Sequence, residues 1–489
     1  MSLKKKAISG FSWTFLEQFG SKAIGFTVQI ILARLIAPEE FGLLGMILIF
    51  NAIGNSLSDS GMSQSLIRSD EPDEKDFSTV FTMNFAISVL LYTVFWFIAP
   101  LISEFYAQPR LTDLIRVYSL VIVINSLYNI QKTKLTSDLN FKYQVKAQVP
   151  ALMIAGSTGI LLAFLDFGVW ALVYMEVVLG SALTFIYFLQ NRWIPKVAFY
   201  PVKLKEHFYF GYKLTLAGVL SRIISNIFPM IIGKYFSAAM VGYYTRAVTM
   251  KEFPVATISG TLDKVFYPVF SKIKNNKNKL KTAYQTAQIL VLLVLSSIML
   301  LLILIANPLF SVLLGKEWLP AVPYFQLLCI TGIFYPVNKY NSNILKIKGR
   351  TDLYLKMAVI TQVTLLFGIF LTIEFGIIPL ILSQVVNSII GAVINIHYAN
   401  KFIDYSFKEQ LRDVLRTVFP ALLTFMVLYI GLREYLGSIS RIFQIIILSV
   451  SFLLFQTSLH VIFKTRSSRE LLVLIKETPI GKPFKRFVN

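Results

Sequence analysis

Uninterrupted apolar runs of roughly 20 residues recur along the whole chain, separated by short polar stretches, and that length is what a helix needs to cross the hydrocarbon layer of a bilayer. Barrel strands would alternate apolar and polar residues over about 10 positions; these runs do not alternate. Unpaired backbone groups are too costly in hydrocarbon for anything but helices or closed barrels to span it. The runs therefore predict an all-α, polytopic integral membrane protein. Composition agrees: 55% of the 489 residues are hydrophobic and 15% charged, whereas soluble domains keep about a quarter of their residues charged.

Fourteen helices are predicted, seven at roughly 11–35, 42–66, 78–99, 111–131, 148–167, 168–189 and 209–233, and seven at roughly 239–270, 285–305, 320–345, 353–374, 376–400, 415–432 and 442–463. Helices 1, 2, 7, 8 and 10 are the least apolar, as suits the walls of a water-filled cavity, and helices 9 and 14 are expected to face lipid. Met1 to Lys6 is basic and precedes an apolar segment, but Glu17, Gln18 and Lys22 interrupt that segment, so a retained first helix is expected rather than a cleaved signal.

The net charge of +21 is topological in pattern. Lys and Arg are spread in short groups between spans, not gathered into a nucleic-acid-binding domain. With the N-terminus inside, 32 of the 47 basic residues fall in alternate segments: Lys4 to Lys6, Arg68 and Lys75, Lys132 to Lys146, Arg192 to Lys205, Lys272 to Lys281, Lys346 to Arg350, Lys401 to Arg416, and the tail from Lys464. The opposite loops hold five, Arg110, Lys234, Lys316, Arg433 and Arg441. Both termini are expected in the cytoplasm, because cytoplasmic loops carry the Lys and Arg excess. The single cysteine, Cys329, excludes an intramolecular disulfide and reads as packing.

Laid against itself at an offset of 200, the chain pairs Lys22 with Arg222, Arg34 with Lys234, and Phe41-Gly42 with Val241-Gly242. The identities are few, but helices 1 and 7 are both expected to start inside, so a parallel repeat is expected: two six-helix lobes, 1–208 and 209–402, followed by helices 13 and 14 and a basic tail over 403–489.

The stretch Leu32-Ala33-Arg34-Leu35-Ile36-Ala37-Pro38-Glu39-Glu40-Phe41-Gly42, then Asp59-Ser60-Gly61-Met62, resembles the start of the polysaccharide-transporter family flippases. Leu139-Asn140-Phe141-Lys142, Val241-Gly242-Tyr243-Tyr244 and Leu345-Lys346-Ile347-Lys348-Gly349-Arg350 continue the likeness. That family comprises the O-antigen, exopolysaccharide and teichuronic acid exporters of the multidrug/oligosaccharidyl-lipid/polysaccharide superfamily. The resemblance implies a flippase of the bacterial cytoplasmic membrane that moves polyprenyl-diphosphate-linked oligosaccharide outward, in company with membrane lipid, a polysaccharide polymerase and glycosyltransferases. Pro38 suits a first helical turn and Gly42 a close approach of chains.

Cations within the spans carry the site expectation. Burying Lys or Arg mid-bilayer costs about 2.5 to 3.5 kcal/mol on insertion scales, so such residues face a cavity and meet an anion. Lys22, Arg222, Arg246, Lys251, Lys264 and Lys339 are the candidate diphosphate ligands, with Glu17, Glu252 and Asp263 as candidate internal partners. Lys251 and Glu252 are adjacent on a helix and are expected not to face one another. Glu17 and Asp59 are candidate coupling residues; a capping or solvated role is the alternative for Asp59. His207, His397 and His460 have no metal-ligand companion at helical spacing, and no Gly-rich phosphate loop is present, so neither a cofactor, a metal nor ATP hydrolysis is expected. The alternatives are a lipid II flippase, a multidrug/cation antiporter, which would favour buried acids, and a polysaccharide polymerase or ligase, which would carry a sizeable outer loop.

Overall fold

The structure, a computed structural model, describes residues 20–191, 193–432, 436 and 439–463, without the side chains of 260–269. In chain order the helices are α1 (20–35), α2 (Pro38–Asp59), α3 (Met62–Arg68), α4 (Glu74–Tyr106), α5 (Leu111–Tyr118), α6 (Leu120–Ser137), α7 (Phe141–Phe164), α8 (Val169–Gln190) and α9 (Pro201–Ser225). There follow α10 (Ile227–Tyr235), α11 (Ala238–Lys272), α12 (Lys277–Leu304), α13 (Ala306–Leu313), α14 (Val322–Ile347), α15 (Thr351–Thr372), α16 (Ile377–Ile403), α17 (Phe407–Gly431) and α18 (Arg441–Ile462). Among the described residues there is no strand.

Over the described residues, each predicted helix coincides with one helix or with a broken pair, the first from residue 20 onward. Among the described residues, length and apolarity qualify eleven as membrane spans, and twelve if the bent pair α9 and α10 is one span. The fourteen-span expectation is thus met by this criterion for twelve; α11 falls outside it, and of the first predicted helix residues 11–19 lie outside the described residues. The chain is a multi-pass membrane protein.

The breaks have local causes. Ser60 and Gly61 are consecutive left-handed residues, φ 48° and 65°, and they part α2 from α3. Between α9 and α10 the axis turns by 46°: the Asn226 side chain donates to the Arg222 carbonyl at 2.8 Å, and Pro229 has no N–H to offer the Ser225 carbonyl. Capping boxes open α4, with Asp73 and Asp76, and α17, with Ser406 and Glu409.

The chain divides into two compact units at Thr245 and Arg246, within α11. In the first, α4 packs on α5 and α6, α6 on α8, α8 on α7, and α2 lies against α4 and α9. In the second, α14 packs on α12 and α16, α16 on α15, and α12 on α17, which carries α18. Helix 9 of the prediction, α12, corrects the expectation that it faces lipid: 67% of its spanning window is buried, against 22% for α18. A helix that is apolar all round suits a protein core as well as lipid, and here α14 and α17 cover it.

Candidate functional site

At the start of α2 the first unit closes on itself through backbone. A Cβ on Gly42 would stand 1.7 Å from the Ala238 carbonyl oxygen, and a Cβ on Gly242 would stand 1.9 Å from that of Pro38. The contact is reciprocal at an offset of 200, since 38 and 42 meet 242 and 238. Helices also end at 35 and 235 and restart at 38 and 238. The contact is thus locally symmetric. Just beyond the other end of α2, a Cβ on Gly61 would lie 2.5 Å from the Gly211 oxygen and one on Gly211 2.2 Å from that of Ser60. α2 is therefore held by glycines at both ends.

The turn before α2 is pinned by Glu40. Arg110 donates to both its carboxylate oxygens, at 2.6 and 2.9 Å, and the Val169 N–H donates at 2.7 Å. The starts of α2, α5 and α8 are tied together by one carboxylate, and its bond raises the already high pKa of Arg110.

The predicted cations are distributed over both units. Lys22 on α1 and Arg222 in the last turn of α9 are exposed, and neither has an ion-pair partner among the described residues. Arg246 on α11 is buried, its guanidinium 5.3 Å from the ring centroid of buried Trp318; the ring covers the charge. Lys251 is also buried and forms an ion pair with Glu252 at 2.6 Å. That corrects the expectation that the adjacent pair would not meet: Cβ directions about 100° apart on the helix are bridged by two long side chains. Glu17 and the Lys264 side chain lie outside the described residues. Asp59 accepts from the Ser63 hydroxyl across the α2 break, so its carboxylate has a local structural partner.

Lys339 lines a pocket of ≈ 290 Å³ in the second unit, walled by α14, α15 and α16. Amides are set among its apolar lining: Asn395 donates to Asn338 at 3.0 Å, Asn338 to the Ser388 carbonyl at 3.1 Å, and Asn387 accepts from Thr364 at 2.7 Å. Lys339, Tyr335, Tyr354 and Gln362 add hydroxyls, an amide and one ammonium beside Met357 and Ala358, and the polar groups suit sugar hydroxyls or phosphate oxygens.

Residues 31–323 match the family described as polysaccharide biosynthesis protein. The chain belongs to that family. The lipopolysaccharide biosynthesis protein WzxC of Escherichia coli (strain K12) is 24% identical over 366 residues, 73% of each chain. The teichuronic acid biosynthesis protein TuaB of Bacillus subtilis (strain 168) is 24% identical over 354 residues, 72% of this chain and 73% of that one. Among solved structures, the lipid II flippase MurJ in an inward closed conformation superposes with a TM-score of 0.73 at 17% identity, over 92% of this chain and 99% of that one. An inward-facing multidrug resistance MATE family transporter of the MOP superfamily gives 0.64 at 15%, over 78% and 94%. These two likenesses are of fold.

This member of the polysaccharide biosynthesis family also has polar features that the sequence reading passed over. Asn125 on α6 donates to Asn55 at 2.9 Å, Asn55 to Asn51 on α2, and Asn51 to the Tyr118 carbonyl at 3.1 Å. Glu176 lies in the middle of α8, within electrostatic reach of Tyr118 and Tyr128 and without a hydrogen bond or ion pair among the described residues. A lone acid inside an apolar run was the available signal for it. Asp76, His207 and Ser65 form a buried cluster: His207 Nε2 is 3.0 Å from Asp76 Oδ1, its Nδ1 2.9 Å from Ser65 Oγ, and Lys203 Nζ donates to Asp76 at 3.0 Å. Residues so distant in sequence give no spacing signal.

Proposed function

We propose that the chain is a flippase carrying polyprenyl-diphosphate-linked oligosaccharide from the inner to the outer leaflet of the bacterial cytoplasmic membrane, by alternating access. The observation that carries the reading is where the family match falls: 31–323 holds six of the helices that qualify as spans and the bent pair α9 and α10, so the part in polysaccharide biosynthesis is performed within the membrane. Relatives named for lipopolysaccharide and teichuronic acid biosynthesis support a glycan substrate, and the likeness of fold to a lipid II flippase supports a lipid-linked one. Glycosyltransferases on the cytoplasmic side would supply the substrate, and a polymerase outside would consume it. The basic-residue bias supports a cytoplasmic position for both termini.

In this mechanism Lys22 and Arg222, equivalent under the offset of 200, grip the diphosphate, and Arg246, Lys251, Lys264 and Lys339 add positive potential along the path. The cations offset the desolvation of the phosphates, and the amide-rich pocket around Lys339 receives sugar. Export is tested in a strain lacking its own polysaccharide flippase. Expression of the chain restores surface polysaccharide, while Lys22→Gln and Arg222→Gln each leave lipid-linked intermediate on the inner leaflet at near-normal protein abundance. Full export by the double Gln variant dismisses the clamp. Rescue of a strain depleted of its lipid II flippase, with no polysaccharide restored, replaces the substrate.

A further inference from the structure

A second cationic site lies in the first unit, apart from the six cations above. A cleft of ≈ 780 Å³ opens between the end of α3 and the first four turns of α9, lined by Arg68, Lys205, Glu206, Tyr209, Phe210 and Lys213, with Val202 and Leu214 at its edge. Three bases face one acid, and none of the three forms an ion pair among the described residues. Neighbouring lysines differ: Lys203 is bound to Asp76 at 3.0 Å and Lys196 to Glu74 at 3.2 Å. The cleft thus keeps a positive charge that the surface beside it neutralises. Its bases are also held by rings, with the Arg68 guanidinium 4.2 Å from the Phe210 centroid and Lys213 Nζ 5.6 Å from that of Tyr209.

α9 itself shows what lies outside. Its inward residues, His207, Gly211 and Thr215, are polar or small, whereas Val202, Tyr209, Leu216 and Leu220 are each more than half exposed. Leu216 and Leu220 continue from Tyr209 and the exposed Lys213 at helical spacing on one outer face, and an exposed apolar stripe of this kind suits hydrocarbon. The apolar stripe begins beside the cations and runs on along the helix. One occupant fits both parts, an anionic head at the bases and a hydrocarbon chain along Leu216 and Leu220. A soluble anion would leave the stripe unused.

We propose that this cleft docks the phosphate head group of a bilayer lipid, on the side that the basic loops assign to the cytoplasm. Resting on the flippase reading, the deepened form is that the lipid is the polyprenyl diphosphate substrate, staged there before it reaches the translocation path. Basic residues at a membrane surface contribute about 1 kcal/mol each toward an anionic lipid.

The test is lipid binding by the purified full-length chain, followed by native mass spectrometry with a polyprenyl diphosphate, phosphatidylglycerol and inorganic diphosphate as probes. The variant is Arg68→Gln, Lys205→Gln, Lys213→Gln together; Lys196→Gln is the control, and Arg68→Lys, Lys205→Arg, Lys213→Arg guards against misfolding. The triple Gln variant weakens lipid binding on the order of tenfold to a hundredfold, and the charge-keeping variant and control do not. Stronger retention of polyprenyl diphosphate than of phosphatidylglycerol identifies the substrate; equal retention keeps the lipid-phosphate site and overturns staging. Unchanged lipid binding by the triple Gln variant, or inorganic diphosphate competing as well as either lipid, overturns the site. Because binding is read without transport, its loss alongside intact export refutes staging alone, whereas loss of all export by the unmodified chain refutes the flippase reading.

Discussion

Ser65, His207 and Asp76 have the order of hydrogen bonds that a hydrolase uses, hydroxyl to imidazole to carboxylate. Placement decides otherwise. All three are almost completely buried, Ser65 3%, His207 1% and Asp76 3% exposed, so no acyl group reaches the hydroxyl. The cluster joins α3, α4 and α9, and Asp76 also closes the capping box of α4 with Asp73. Its role is to pin three helix ends through one desolvated carboxylate. Asp76→Asn leaves Lys203 and His207 without their anion and is expected to lower stability by about 2 kcal/mol or more, seen as an earlier thermal transition in detergent and less folded protein in the membrane. Ser65→Ala removes a single neutral acceptor or donor and costs about 1 kcal/mol. Export by both variants follows their abundance. Loss of export by Ser65→Ala at full abundance would show chemistry in place of a pin.

At the scale of elements, α2 carries the most information, because its ends meet other segments with no side chain between. Gly42 and Gly242 cannot accept a methyl group without moving backbone, given the 1.7 and 1.9 Å approaches; at Gly61, with φ 65°, the backbone conformation is unfavourable as well. Gly42→Ala or Gly242→Ala is therefore expected to part α2 from α11, with amides of 38–45 and 238–245 exchanging hydrogen about fivefold to a hundredfold faster, since lost packing of this kind costs about 1 to 3 kcal/mol. Gly61→Ala acts at the other end, on 57–65 and 207–214. Exchange unchanged in all three variants would mean the approaches are not closures. The helices themselves were legible in the sequence, since their runs are long and uninterrupted, and the offset of 200 already pairs Gly42 with Gly242. What composition could not show is which covering an apolar helix receives: α12 and α18 read alike, and only packing on α14 and α17 separates them. The Lys251–Glu252 pair was missed for a related reason, because helical direction fixes Cβ and not the end of a long side chain.

For the whole molecule, the candidate site was legible only as a list of charges too costly for lipid. Distance along the sequence hid Asp76 with His207 and the cleft of Arg68, Lys205 and Lys213, since those bases had been assigned to loops or passed over. The same charges orient the molecule. With each predicted span crossing once, 32 basic residues fall on one side and five on the other, and adding or removing one span would exchange the loops beyond it and mix the two sets. The broken helices are where such an error would arise, because α9 and α10 turn by 46°; were α9 and α10 not one crossing, every loop after Tyr235 would be inverted. Reporter fusions at Lys142, Lys279 and Lys408 are expected to report cytoplasm, and fusions near Glu39, Lys316 and Arg433 the exterior. Lys142 and Lys279 bracket the bent pair, so their agreement shows an even number of crossings between them, and α11 supplies the return after the bent pair. An exterior signal at Lys279 and Lys408 with Lys142 unchanged would reassign α9 and α10 as a re-entrant pair and reverse the second unit in the membrane.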